Sequence, residues 1–398
     1  MSAISQGTGY RGMVEGLDFS LVRNDLLFHL QRRIGLIPAT GLGIGRRAVF
    51  YSMLCWLPLV IWAWSTGRML PGGPDEPMLG HFGIHVRCLV AIPLMIVGEA
   101  LVQTLVPLCL TQFVRTGIVD PSLVPGFREV IQAGSRLRDR FYPWVVIGGL
   151  VIAWTAIVLA SPNPDEIAWT GERSARTFGA WWLLLVVRPV FSVLLLAWVW
   201  RLCLAAVVLG RLARLPLQLV PTHPDRVGGL GFLARMPAAF APFTLAVSAV
   251  VAASWAHLVA YHDTPVPSLY IQMGLLVVVL ILLVAMPLLC FTPLLMLMKK
   301  QAMLDYGVLL AEHGRKVQGR WLEGNDGLDD DEMLNAPELG ATADTQTIYE
   351  SVTKIRVVIV NKYVLFAIAL PAALPMLLLV AGQYPIKATL LKLLTVLL

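Results

Sequence analysis

Charge is scarce in this sequence. Charged residues fill 14% of its 398 positions, against 57% hydrophobic, and the mean hydropathy is +0.72. A soluble domain carries about 25% charged residues, so the chain lacks the polar surface to cover itself in water, and lipid has to serve as part of its solvent. Cysteine is scarce as well. Cys55, Cys88, Cys109, Cys203 and Cys290 each sit in or beside an apolar run, and no CxxC occurs. That placement argues for small packing residues and against a disulfide framework or a thiolate cage. The apolar runs also lack the period-2 alternation of membrane strands, so the pattern predicts an all-α integral membrane protein. No secretory leader is evident, since the first apolar run, from Ala48, is too long and too rich in Trp for one. The expectation is insertion by the first span itself.

Seven runs reach the roughly 20 apolar residues that cross a bilayer. They lie at about 48–66, 88–110, 142–160, 178–206, 236–260, 268–298 and 357–380. The result is a polytopic helical bundle with amphipathic interfacial helices. Trp62, Trp64, Tyr142, Trp144, Trp181, Trp182, Trp198 and Trp200 gather at run ends, as an interface belt requires. Alternate loops are basic: Arg32, Arg33, Arg46 and Arg47; Arg128, Arg136, Arg138 and Arg140; Arg211, Arg214, Arg226 and Arg235; Lys299, Lys300, Arg315 and Lys316. The opposite loops are poorer in basic residues, with Arg68, Arg173 and Arg176 before the C-terminal Lys387 and Lys392. This bias predicts a cytoplasmic N-terminus. It also accounts for the net charge of +6 without a nucleic-acid partner.

Outside the spans, residues 1–47 form a cytoplasmic N-terminal segment with a short amphipathic helix around Leu26, Leu27, Leu30 and Ile34. Val124–Phe141 is a second amphipathic stretch. Both suit docking to anionic headgroups. Residues 299–356 read as a cytoplasmic helical hairpin with an acidic loop at Asp326, Asp329, Asp330, Asp331 and Glu332, and so as a possible seat for a protein partner. Residues 357–398 hold the seventh span, made irregular by Pro371 and Pro375, and an amphipathic tail that either lies on the outer surface or re-enters the membrane over 385–398.

Two ionisable residues fall inside apolar runs. Glu99 lies about 11 residues past Cys88, and Arg188 about 10 past Phe178, or about 17 and 15 Å deep at about 1.5 Å per residue. An isolated ion at that depth costs at least a few kcal/mol, so the sequence predicts a Glu99–Arg188 ion pair. Gln103, one helical turn from Glu99, and the carbonyl freed by Pro189 extend it into a polar patch. The patch reads equally as a substrate or ion path and as a clamp that sets helix register. Arg201, Asn361 and Lys362 are expected to snorkel towards the cytoplasmic face. His257, His262 and Asp263 form a weaker cluster, in which a histidine near an interface more often simply meets water. No metal centre and no cofactor is predicted.

The stretch THPDRVGGLGFL, residues 222–233, carries the remaining candidates. His223 and Asp225 are two apart and suit a base with its orienting carboxylate. Gly228, Gly229 and Gly231 do not form GxGxxG, but with Arg226 they suit an amide nest for an anion or lipid headgroup. The bland alternative is a cytoplasmic elbow before the fifth span. The segments LQRRIGLIPATGLGIGRR and PTHPDRVGGLGFL resemble those of a group of uncharacterised bacterial multi-span inner-membrane proteins that share an HPDxxGGLGFL elbow. The resemblance implies a multi-pass inner-membrane address and brings no activity with it. Three functional classes stand, in this order: a small-solute or ion transporter or channel using Glu99, Gln103 and Arg188; a non-catalytic subunit or sensor docking a partner at 299–356; and a membrane enzyme acting on a lipid-linked substrate at His223 and Asp225.

Overall fold

A computed structural model describes residues 19–22, 26–38, 41–71, 76–161, 163–171, 177–322 and 337–382. Among these residues every regular element is helical. A surface helix α1 (Leu26–Arg33) leads to the first span α2 (Ile44–Ser65). The second span α3 covers Phe82–Arg115, with a wide π turn at Arg87–Ala91. An amphipathic helix α4 (Val124–Arg138) precedes the third span α5 (Tyr142–Ala160). The fourth span α6 (Phe178–Leu212) contains a second π turn, Leu183–Val187. An eleven-residue 3-10 segment, Leu230–Phe240, feeds the fifth span α7 (Ala241–Tyr261), and α8 (Tyr270–Leu289) is the sixth. Helices α9 (Thr292–Val317) and α10 (Pro337–Thr353) pack on one another as a hairpin before the seventh span α11 (Lys362–Ala381).

Among the described residues seven helices are thus long and apolar enough to cross a membrane, and the chain is an all-α polytopic membrane protein. Its outward faces are apolar where lipid would touch them: Ile152 on α5, Ile271 and Leu282 on α8, and Phe366 and Leu370 on α11 are all well exposed. Inside, α3, α6 and α7 meet around Trp198, which is fully buried, stacks on Phe243 and donates its Nε1–H to the Met95 carbonyl at 3.1 Å. Gly98 makes that approach possible, because a Cβ there would lie 2.9 Å from the Trp198 ring and 3.1 Å from Pro242. Small residues at membrane helix crossings serve this purpose.

Several boundaries differ from the sequence reading. The second span starts at Phe82, six residues before Cys88. The sixth run, 268–298, breaks at Cys290–Phe291, so α9 is a separate helix. Pro371 and Pro375 do not interrupt α11, whose first turn is capped by the Asn361 side chain accepting from Val364 N at 3.0 Å. The acidic loop 326–332 and the tail 385–398 lie outside the described residues.

One element went unread in the sequence. Residues 19–22 thread into the bundle, with Phe19, Leu21 and Val22 at most 2% exposed. The Ser20 hydroxyl donates to Gln103 of α3, and the Ser20 carbonyl accepts from Arg138 of α4. Phe19 packs where Gly134 of α4 faces Val208 of α6.

Candidate functional site

The Glu99–Arg188 pair does not form. Glu99 is fully buried and binds two other arginines: Arg47 Nη1 lies 2.5 Å from its Oε2, and Arg201 Nη2 lies 2.7 Å from its Oε1. Helix depth is the reason. Because α3 begins at Phe82, Glu99 sits 17 residues in, about 25 Å along the axis, whereas Arg188 sits 10 residues into α6, about 15 Å. Glu99 therefore meets Arg47 from the first turn of α2 and Arg201 from far down α6. Arg201 does not snorkel. It is 2% exposed and lies over the Trp198 ring at 5.3 Å. Gln103 is likewise engaged, as the acceptor for Ser20. The cluster ties α2, α3 and α6 together, and both carboxylate oxygens are used in doing so.

The elbow at 222–233 forms a nest, and its occupant is Asp225. The Asp225 carboxylate accepts the N–H groups of Val227 at 2.9 Å, Gly229 at 3.1 Å and Gly231 at 2.7 Å. Burial pushes this carboxyl up, but the three amides and His223 outweigh it and hold it below the usual carboxylate range. The turn requires its glycines: φ is +67° at Gly228 and +95° at Gly229, and a Cβ on Gly231 would lie 2.9 Å from Asp225 Oδ2. A lipid phosphate or nucleotide is thus displaced in advance by the chain's own carboxylate, which corrects the expectation of a headgroup nest at Gly228, Gly229 and Gly231. Arg226 is exposed, with φ at +60°. Its carbonyl accepts from Arg356 N at 2.8 Å, and the Asp225 carbonyl accepts from the Arg356 side chain at 3.0 Å. These bonds fasten the elbow to the approach of α11. His223 is brought to Asp225, with Nδ1 2.9 Å from Oδ1, but its ring is 44% exposed at the surface.

The opposite end of the bundle holds a cluster of ionisable groups that the sequence reading did not assemble. Arg188 directly follows the π turn of α6, and Arg87 opens the π turn of α3. Such turns aim side chains that a regular helix would place elsewhere. Both arginines converge on Glu166, from the one-turn helix Pro164–Ile167 between α5 and α6. Arg87 Nη1 lies 3.0 Å from Oε1, Arg188 Nε lies 3.1 Å from the same oxygen, and Arg188 Nη2 pairs with Oε2. Arg87 also lies over the Phe191 ring at 5.7 Å, and its Nε is buried with no hydrogen-bond acceptor.

Two cavities meet at these arginines. One, of about 210 Å³, is polar: Arg87, Arg188, Glu166, Asn163, His81 and His257 line it. The other, of about 460 Å³, is a cleft between α5 and α6 lined by Leu150, Trp154, Phe191, Leu195 and Leu196, and it shares Arg87 and Arg188 with the first. In the wall of the polar cavity, burial, with His257 and His85 nearby, pushes the His81 imidazole down to about 3. His85 is satisfied structurally: Trp56 Nε1 donates to its Nδ1 at 3.0 Å, and its Nε2 faces the Met78 carbonyl at 3.2 Å. Glu76, His257 and His262 each place a ligand-type atom within 4.8 Å of the others, so these three residues are suited to hold a cation.

Fold and composition together define a polytopic α-helical membrane protein with a charged pocket at one end of its bundle. No family model, curated protein or solved structure matches the chain. The sequence contained one usable signal for this site: Glu76, His81, Glu166, His257 and His262 all fall at the ends of spans facing the loops that are otherwise poor in charge.

Proposed function

We propose that the protein binds an anionic amphiphile, a lipid or lipid-linked substrate, with its acidic group on Arg87 and Arg188 and its chain in the cleft between α5 and α6. One observation carries the reading: the same two arginines form the shared wall of a polar cavity and of an apolar cleft. An ion or a sugar has no use for the apolar half, and an uncharged lipid has none for the arginines. The lipid-linked class thus moves from His223 and Asp225 to the other end of the molecule. Conduction through Glu99 is disfavoured, because both of its oxygens are committed and its surface is sealed. The basic loops on the elbow side support an orientation with the N-terminus in the cytoplasm, and so a bacterial inner-membrane address with this pocket in the outer half of the bilayer.

Native mass spectrometry of the full chain released from detergent, with added phosphatidylglycerol or phosphatidylcholine, tests the reading. The anionic lipid is expected to bind preferentially. Arg188→Gln should weaken it about tenfold, the equivalent of about 1.4 kcal/mol. Trp154→Ala, which keeps the arginines, should weaken long-chain lipids more than short-chain ones. Equal retention of the two lipids, or unchanged phosphatidylglycerol binding in Arg188→Gln, would rule the proposal out.

A further inference from the structure

The cluster of Glu76, His257 and His262 is built differently from the arginine pocket beside it. Glu76 lies just before α3, His257 in the last turns of α7, and His262 immediately after α7. The Nδ1 of His257 lies 3.3 Å from the Gly80 carbonyl. A carbonyl can only accept, so Nδ1 carries a proton, and in the neutral imidazole Nε2 keeps the lone pair that a metal ion would take. A hydrogen bond of this kind, from the second ring nitrogen to a backbone carbonyl, is what orients a metal-binding histidine.

That Nε2 lies 3.3 Å from Glu76 Oε2. Both atoms are buried, and neither makes a hydrogen bond. An acceptor nitrogen and a carboxylate oxygen this close in a buried site repel one another unless a cation is bound by both. The spacing suits a metal: bonds of about 2.0–2.1 Å at a tetrahedral centre put neighbouring ligand atoms about 3.3–3.4 Å apart. His81 completes the wall. Its ring stacks on His257 with centroids 4.5 Å apart, and its Nε2 lies 3.1 Å from the same Glu76 oxygen, again without a hydrogen bond.

The backbone is shaped to hold this arrangement. A Cβ on Gly80 would lie 1.9 Å from the Tyr261 hydroxyl, so glycine lets the Gly80 carbonyl come up to His257 with the Tyr261 ring in place. Tyr261 in turn packs on His257 with centroids 4.8 Å apart.

We propose that Glu76, His257 and His262 bind a divalent transition-metal ion, Zn²⁺ by the chemistry of the donors. Two imidazoles and one carboxylate are a three-ligand set that leaves a fourth position open to water or substrate. His257 also lines the polar cavity, so the ion sits beside the chamber that holds Arg87 and Arg188. The proposal does not rest on the amphiphile reading, and metal content can be measured without any lipid.

The experiment uses the full chain, purified with a histidine-free tag, stripped with chelator, reloaded with Zn²⁺ and desalted. Elemental analysis should find about one zinc per chain, and Co²⁺ loading should give the visible absorption of a tetrahedral site. His262→Ala removes an exposed ring whose aromatic contact is with His257, so the variant should fold and elute as wild type while binding zinc about 100-fold more weakly. Glu76→Gln should do the same, and His223→Ala, at the far end of the molecule, should keep the ion. A reloaded wild-type chain without zinc would overturn the proposal and identify the cluster as an imidazolium–carboxylate pair. So would zinc retained at wild-type affinity in both His262→Ala and Glu76→Gln.

Discussion

Replacing Glu99 by Gln should be among the most destabilising single changes in the bundle. The carboxylate is fully buried, and Arg47 and Arg201 are each 2% exposed at 2.5 and 2.7 Å from its two oxygens. Opposite charges about 4 Å apart attract by about 4 kcal/mol at an effective dielectric of about 20, and Glu99 takes part in two such attractions. The substitution removes both and leaves two guanidinium groups facing each other across a neutral amide. Part of the loss is offset, because the Gln oxygen still accepts one hydrogen bond and the Arg201 guanidinium keeps its contact with the Trp198 ring. Breaking a buried pair from one side typically costs about 3–5 kcal/mol, and that is the expected loss. Reversible unfolding in mixed micelles would measure it. A second variant separates lost attraction from lost packing: with Arg47→Met and Arg201→Met added to Glu99→Leu no buried charge is left, and most of the stability should return. If Glu99→Gln unfolds within about 0.5 kcal/mol of wild type, the size of an ordinary surface substitution, the clamp contributes nothing and the argument fails.

Two further outcomes follow from geometry already described. Asp225→Asn removes an anionic acceptor of three amide bonds at the elbow and should cost about 1–3 kcal/mol. Because the folded carboxyl lies below its usual value, its stabilisation is complete above an unfolded pKa of about 3.9 and is lost as the pH falls through the folded value. The gap between wild type and Asp225→Asn in thermal unfolding should therefore be full at neutral pH and close only below about pH 4; a gap independent of pH would contradict this. Gly98→Ala would set a methyl 2.9 Å from the fully buried Trp198 and should cost about 1–3 kcal/mol, whereas Gly148→Ala, with nothing within 4 Å, should be neutral or stabilising; equal effects would undo the packing argument.

The spans were legible because lipid imposes a one-dimensional test, a run of apolar residues, that needs no knowledge of neighbours. Their ends were less so. The start of α3, FGIHVR, contains His85 and Arg87, and these polar residues hid six residues of helix. That displacement, about 9 Å along the axis, was enough to pair Glu99 with the wrong arginine. At the elbow the glycines and the carboxylate were visible as a motif. What spacing could not show is that Asp225 turns back on the amides two, four and six residues ahead of it. The pocket was harder to read for a different reason. Its members come from before α3, from between α5 and α6, and from the end of α7, and only the meeting of those three ends gives the separate residues a common chemistry.

Residues 19–22 also bear on how the molecule is assembled. They leave the ribosome before every helix they touch, yet their seat is made from α3, α4 and α6, the last of which ends nearly two hundred residues later. Until α6 has entered the bilayer and packed against α3, Phe19, Leu21 and Val22 have nowhere to go. This short segment thus becomes the closing piece of the bundle, and its burial is a marker of completed assembly that limited proteolysis of chains stalled during synthesis would register.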